Sequence, residues 1–186
     1  MRKDDQFDSD MQGYMAVTTV GSSALRNQGS KGVIKAARTY HAGMGLSNFR
    51  VADEAAFLRE LDSATEELKA GLPPGAQNWG AARKALNLFL RDTCYNRFLC
   101  EPHGPADSEE WMELPFDSLV ALVLKRKGEC GELPPWPGLN GLTGEISSRF
   151  QSFAKQVANA QGISRVHLDM RLWTSERERD GKMARP

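Results

Sequence analysis

Apolar residues recur at helical spacing along most of the chain, and no segment shows the alternation typical of a β-strand. The clearest pattern predicts an amphipathic helix over residues 145–160, whose apolar stripe is Ile146, Phe150, Phe153 and Val157. Residues 1–20 are polar without a sustained period, so they are interpreted as a flexible or loosely docked arm. The pattern predicts an all-α domain over residues 21–175, with about six to eight helices and a charged tail over residues 176–186.

Capping residues divide the middle of the chain into further helices. Asp53 and Asp117 each precede an apolar helical stretch and are predicted N-caps. Another helix is predicted to begin near Trp79, after a Pro- and Gly-rich stretch that ends its predecessor. A final short helix carries the sequence HLDMRLW at residues 167–173. The chain is long enough for one domain, or for two small lobes that share one core.

Composition and charge narrow the class of protein. The chain is 40% hydrophobic and 26% charged, which is typical of a soluble globular protein. Lys and Arg number 24, as do Asp and Glu, so a purely electrostatic nucleic-acid binder is disfavoured, although a local cationic face would suffice. No apolar run is long enough to span a membrane, and no signal-peptide core is present, so a cytoplasmic protein is expected. The three cysteines lack zinc-binding spacing, and neither a metal nor a cofactor is expected.

Lys84 lies at the edge of an apolar stretch in the helix that begins near Trp79. Residues 85–90 are apolar on nearly every side, so this helix is expected to be buried among others. A lysine in such a place usually extends its ammonium group to water. Held against an apolar wall instead, it loses hydration, and its free amine becomes a nucleophile able to attack a sugar C1′. The sequence leaves both interpretations open.

Three further elements could complete such a site. Asp117 is either a helix cap or the carboxylate that handles protons for the amine, and the two roles are compatible. Asp169 and Trp173 are four residues apart and share a helix face. The carboxylate of Asp169 could accept hydrogen bonds from the edge of a nucleobase, and the indole of Trp173 could stack on its face. A helix-capping aspartate and a tryptophan of the core would explain the same two residues. Gln28 could bind a base edge or face water.

The order of these elements resembles that of the helix–hairpin–helix DNA glycosylases, and most closely the archaeal 8-oxoguanine glycosylase/lyase branch. RKALNLFLRD holds the lysine, LPFDSLVA the first aspartate, and HLDMRLW the second aspartate with the tryptophan. The resemblance implies that Lys84 is the nucleophile that releases the base and that Asp117 stabilises the developing sugar cation. It also implies a two-lobed all-α fold that acts as a monomer on double-stranded DNA held across a cleft.

The resemblance further implies that Asp169 and Gln28 read the flipped base and that Trp173 stacks on it. Leu88 stands where that branch has an aromatic ring against the base, which predicts a roomier pocket. The excised base is then either 8-oxoguanine or a bulkier modified base, such as those of some phage genomes. The residues expected to contact DNA come from the hairpin PPGAQNWG and from a basic rim: Gln77, Asn78, Trp79, Gly80, Arg83, Arg26, Lys31 and Lys35.

Two other functions fit the same sequence. NRFLCEPH supplies Arg97 and His103, a pairing used by some all-α ribonucleases. A non-catalytic all-α nucleic-acid-binding module would leave Lys84 extended to water and Asp117 as a cap alone. The ribonuclease predicts that Arg97 and His103 matter while Lys84 does not, and the binding module predicts no covalent intermediate.

Overall fold

The computed structural model describes residues 3–21, 23–25, 27–28, 31–103, 105–129 and 131–179. Within these residues it contains eight α-helices and no β-strand, which confirms the all-α prediction. Short 3₁₀ turns lie between them, and one of these, at Leu139–Gly141, borders the site described below. No helix in this part of the chain is both long and apolar enough to cross a membrane. The helices are α1 (Lys3–Thr19), α2 (Val33–Gly43), α3 (Glu54–Gly71), α4 (Trp79–Tyr95), α5 (Arg97–His103), α6 (Ser118–Lys127), α7 (Gly144–Asn159) and α8 (Leu168–Arg179).

The N-terminal segment is a packed helix, so the prediction of a flexible arm was wrong. α1 lies against α2, and its Ala16 is buried, as is Val20 just beyond it. The side-chain amide of Gln12 donates to the carbonyl oxygens of His41 (2.7 Å) and Met44 (2.8 Å), which satisfies acceptors at the end of α2. These partners lie 29 and 32 residues away, and a mostly polar helix shows little periodicity that would reveal them.

Side-chain caps begin α3 and α6 at the predicted positions. An Asp53 carboxylate oxygen accepts a hydrogen bond from the backbone N–H of Ala56 at 2.7 Å. Asp117 Oδ1 accepts from the backbone N–H groups of Leu119 and Val120, both at 2.9 Å. A cap of this kind stabilises a helix by about 1 kcal/mol, so the Asp117 carboxylate fixes where α6 starts.

The buried apolar side chains form two clusters. The first cluster contains residues of the helices α1, α2, α3 and α4, including Phe57 and Phe89. The second contains residues of α6, α7 and α8 and is centred on Leu124 and Phe150. α4 belongs to the first cluster and α6 to the second. A contact between these two helices therefore joins the two clusters.

Gly80 lies where α4 meets the loop over residues 137–142 without an intervening side chain. A Cβ atom at this position would lie 2.3 Å from the carbonyl oxygen of Leu139 and 2.8 Å from Cβ of Leu142. Such distances are well inside van der Waals contact, so only glycine fits. Gly80 is buried by this loop, and the prediction that it contacts DNA is wrong for that reason.

His41 is a buried ring between α2 and α4. Its side chain is fully buried, and neither ring nitrogen has a hydrogen-bond partner within the described residues. The ring stacks on Phe89 with centroids 4.6 Å apart and planes inclined by 1°. Burial lowers the pKa of His41 to about 3, because the charged imidazolium would lose its hydration.

We expect His41 to make the fold sensitive to acid. The unfolded chain takes up this proton near pH 6.5, so the free energy of unfolding should fall as the pH drops from about 6.5 towards 3. The contribution of His41 between pH 7 and pH 5 is about 2 kcal/mol. His41→Phe keeps a ring against Phe89 and should remove this contribution, which denaturant unfolding at both pH values measures. His103→Gln is the matched control and should keep the full acid sensitivity; an unchanged sensitivity in His41→Phe would contradict the prediction.

Candidate active site

Lys84 and Asp117 form an ion pair that joins α4 to the start of α6. Lys84 Nζ lies 3.4 Å from Asp117 Oδ2. Only 8% of Lys84 is exposed, so its ammonium group is not extended into bulk water as a surface lysine would be. Asp117 Oδ1 caps α6, which leaves Oδ2 for the amine. One carboxylate thus fixes the helix start with one oxygen and contacts Lys84 with the other.

A cleft of about 610 Å³ opens in front of this pair. Its walls come from the turn before α2, from α4, from the first turn of α6 and from the loop over residues 137–140. Within the described part of its lining, the polar side chains other than Lys84 and Asp117 are amides and hydroxyls: Ser23, Asn27, Gln28, Ser118 and Asn140. Among the described residues that line the cleft, none is aromatic. The cleft therefore offers hydrogen bonds to a ligand's polar edges rather than a stacking surface.

Gln28 lines the cleft, and its contact with a base stays a prediction. Its side chain is 8% exposed, and its Oε1 accepts a hydrogen bond from Asn78 Nδ2 at 3.4 Å. Asn78 in turn caps α4, since its Oδ1 accepts from the backbone N–H of Ala81 at 2.8 Å. The turn that carries Gln28 is thereby connected to the helix that carries Lys84, across 50 residues of sequence.

Asp169 already has a cationic partner. Its carboxylate pairs with Arg91, which lies two turns after Lys84 on α4 and also pairs with Asp92 at 2.7 Å. Burial raises the pKa of Asp169, Arg91 opposes that shift, and the charges of Asp117 and Lys84 also act on it. Asp169 thus belongs to the electrostatic surroundings of the Lys84–Asp117 pair. A base read by Asp169 would have to share this carboxylate with Arg91.

Trp173 and Leu88 do not line the cleft. Trp173 lies on α8 and is 43% exposed. Leu88 is half-buried and packs against the first apolar cluster. The expectation that Leu88 forms part of the base pocket is therefore corrected, since its side chain faces the core. Stacking of Trp173 on a base stays a prediction.

Arg83 is not part of a basic rim. Its side chain is 5% exposed, and its guanidinium donates to both carboxylate oxygens of Glu113, at 2.8 and 3.0 Å, and to Asp62 at 2.8 Å. Burial favours a higher pKa for Glu113, but the charge and hydrogen bonds of Arg83 outweigh it and hold this pKa below its ordinary value. The prediction that Arg83 contacts DNA was wrong, because its guanidinium is buried and donates to Glu113 and Asp62.

The other residues of the predicted hairpin have structural contacts of their own. The side-chain amide of Gln77 donates to the carbonyl oxygens of Ala70 (3.2 Å) and Leu72 (3.0 Å). The half-buried ring of Trp79 lies 5.1 Å from the guanidinium carbon of Arg83. Contacts of Gln77, Asn78 and Trp79 with DNA stay predictions. Of the remaining rim candidates, Lys31 and Lys35 are exposed, and Arg26 lies outside the described residues.

The sequence did not single out several residues of the cleft. Asn27 adopts a left-handed conformation (φ 61°), which asparagine tolerates better than most residues. Leu139 and Asn140 come from the loop before α7. The sequences RNQG and GLNG indicate that both segments form turns. Turn-forming residues do not indicate which helix the turn will contact, so the cleft could not be predicted from them.

The two residues of the ribonuclease alternative have separate contacts. The guanidinium of Arg97 lies 5.4 Å from the ring centre of Phe98. His103 Nδ1 lies 3.0 Å from Ser47 Oγ, and His103 Nε2 lies 3.9 Å from an Asp8 carboxylate oxygen. Neither residue lines the cleft beside Lys84. The structure thus gives this alternative no added support.

Comparisons of the chain with known protein families, with curated proteins and with solved structures found no match. The likeness to the helix–hairpin–helix DNA glycosylases therefore rests on the quoted motifs and on the placement of Lys84, Asp117 and Gln28 around one cleft.

Proposed function

We propose that this chain is a DNA N-glycosylase that excises a modified base with Lys84 as nucleophile and Asp117 as assisting carboxylate. The observation that carries the proposal is the ion pair between the buried Lys84 and the partly exposed Asp117, whose Nζ and Oδ2 atoms lie 3.4 Å apart at the wall of a cleft of about 610 Å³. A shielded amine beside a carboxylate from a separate element is what covalent chemistry at a sugar carbon needs.

The reaction begins when the Lys84 ammonium group transfers a proton to Asp117. The free amine attacks C1′ of the flipped nucleotide, and the base leaves with the electron pair of the glycosidic bond and takes up a proton. Opening of the sugar ring then gives a Schiff base between Lys84 and C1′. Hydrolysis of that imine returns the lysine, whereas loss of the 3′ phosphate by β-elimination would add lyase activity at the abasic site. The proton that Asp117 received passes to the departing base, so the Asp117 carboxylate is charged again beside the sugar while positive charge develops there.

The base to be excised is 8-oxoguanine by resemblance or a bulkier modified base. The cleft volume lies within the roughly 300–1,000 Å³ typical of ligand-binding sites. Its amide and hydroxyl lining suits a base that carries further polar groups. This supports the bulkier substrate and, with it, a role in defence against phage DNA rather than genome repair. Side-by-side excision in matched duplexes distinguishes the two substrates, and faster release of 8-oxoguanine would favour repair.

Borohydride trapping tests the proposed function. The protein is incubated with duplexes that carry 8-oxoguanine, uracil, an abasic site or a decorated cytosine, and an unmodified duplex is the control. Borohydride reduces a Schiff base to a stable adduct, which peptide mapping should locate on Lys84. If no duplex gives an adduct and no base is released, the chain is instead a non-catalytic nucleic-acid-binding module.

Asp117→Asn should separate the helix cap from the chemistry. Asparagine caps a helix about as well as aspartate, so we expect the free energy of unfolding to change by less than about 1 kcal/mol. Base release should slow by about a hundredfold, because the amide cannot accept the proton of Lys84. Single-turnover excision and denaturant unfolding measure the two effects. Asp53→Asn, at a cap away from the cleft, should leave excision unchanged; an unchanged rate in Asp117→Asn would reduce Asp117 to a cap.

A further inference from the structure

The exposed side of α6 leads from the cleft to a group of cations. Leu119, in the first turn, lines the cleft and is 39% exposed, and Leu122 follows one turn later at 45%. The last turn consists of Lys125, Arg126 and Lys127, all exposed. No acidic residue occurs within Ser118–Lys127. We call these five exposed residues the α6 face.

The α6 face has the charge and dimensions to follow a nucleic-acid backbone. At 1.5 Å per residue, Leu119 and Arg126 are separated by about 10 Å along the axis, the length of about three base pairs. Two glutamates, Glu129 and Glu132, follow the helix. The Glu132 carboxylate accepts a hydrogen bond from the backbone N–H of Glu129 at 3.0 Å. In a chain of zero net charge, the last turn of α6 brings three cationic side chains together.

We propose that the α6 face is the surface on which double-stranded DNA lies. The cations of its last turn contact phosphates on one side of the target nucleotide, and Leu119 enters the space that the flipped base leaves. Exposed apolar side chains act in this way in other proteins that open a base step. The assignment rests on the proposed glycosylase function and replaces the buried Arg83 as the source of the phosphate contacts.

The phosphate contacts are tested by the salt dependence of binding. Proteins carrying Lys84→Gln, which prevents turnover, are titrated with a fluorescent duplex that contains a tetrahydrofuran abasic site. Adding Lys125→Gln, Arg126→Gln and Lys127→Gln should reduce the slope of log affinity against log salt concentration by about 0.9 for each phosphate contact, or by two to three in all. The matched control removes three exposed arginines of other helices with Arg59→Gln, Arg97→Gln and Arg149→Gln. It should keep the slope; an equal change in both triple variants, or none in the α6 variant, would overturn the assignment.

The role of Leu119 is tested by comparing duplex and single-stranded substrates. Leu119→Ala should slow base release from the duplex by about tenfold but leave release from single-stranded DNA unchanged, because only the duplex must be opened. Val17→Ala is the control, since Val17 is an exposed apolar residue of α1 that belongs neither to the α6 face nor to the cleft. Equal slowing on both substrates would show that Leu119 only shapes the cleft.

The two proposals fail in different ways. If the wild-type protein forms the Lys84 adduct while the α6 variants behave like their controls, the DNA-binding surface is wrong and the glycosylase stands. If the wild-type protein forms no adduct on any duplex, the glycosylase is wrong, and the α6 assignment falls with it.

Discussion

Lys84→Gln is expected to slow base release by at least about a thousandfold and to abolish the borohydride adduct. Glutamine has no amine that could bond to C1′, although its amide can still donate a hydrogen bond to Asp117 Oδ2. The cleft should therefore keep its shape, and duplex binding should persist. Single-turnover excision measures the rate, and an unfolding curve confirms that the variant is folded.

Lys69→Gln provides the matched control for this experiment. Lys69 is a lysine of α3 that pairs with Glu66 and does not line the cleft, so the same chemical change there should leave excision unaltered. If Lys84→Gln releases the base at the normal rate, Lys84 is not the nucleophile. Loss of activity in both variants would instead point to a general effect of lost positive charge on DNA binding.

Arg83→Met is expected to destabilise the fold by about 3–5 kcal/mol. The substitution removes the guanidinium but leaves Glu113, only 7% exposed, with its charge buried and its main partner gone. Denaturant unfolding at pH 7 measures the loss. Asp62→Asn removes the other carboxylate that pairs with Arg83, and that carboxylate is 64% exposed. Because water screens this pair, the control should cost less than about 1 kcal/mol.

The effect of Arg83→Met should shrink in acid. In the wild-type protein the pKa of Glu113 lies below its ordinary value, so this carboxylate contributes stability above about pH 4.5 and loses it as the pH falls. Without Arg83, burial raises the pKa of Glu113, and the variant takes up a proton more easily. The stability difference between the two proteins should therefore be larger at pH 7 than at pH 4. A difference below about 1 kcal/mol at pH 7 would mean that the buried charge finds another partner.

The features that could be predicted from the sequence depend on neighbouring residues. Asp53 and Asp117 cap helices through amides two or three positions away, so the signal and its effect lie in one short segment. The burial of Arg83 depends on Glu113, 30 residues further on, and nothing near Arg83 in the sequence indicates it. α1 was missed for the same reason, since its contacts are with another helix.

The candidate site was only partly accessible to such reasoning. Lys84 and Asp117 are 33 residues apart, and their pairing was expected from the resemblance rather than from any local pattern. The resemblance also named Gln28 as a base-reading residue, and the structure places Gln28 in the lining of the same cleft. It gave no indication that Arg91 pairs with Asp169, because that contact depends on how α8 packs against α4.

The contact at Gly80 bears on how the substrate range of this protein could change. Gly80 lies one turn before Lys84, and the backbone of Leu139 rests directly against it, so no side chain can be trimmed to widen or narrow the cleft there. Point substitutions in the loop over residues 137–140 would alter the chemistry of the wall more readily than its position. A lineage adapting to a larger or smaller base would therefore have to acquire insertions or deletions in this loop.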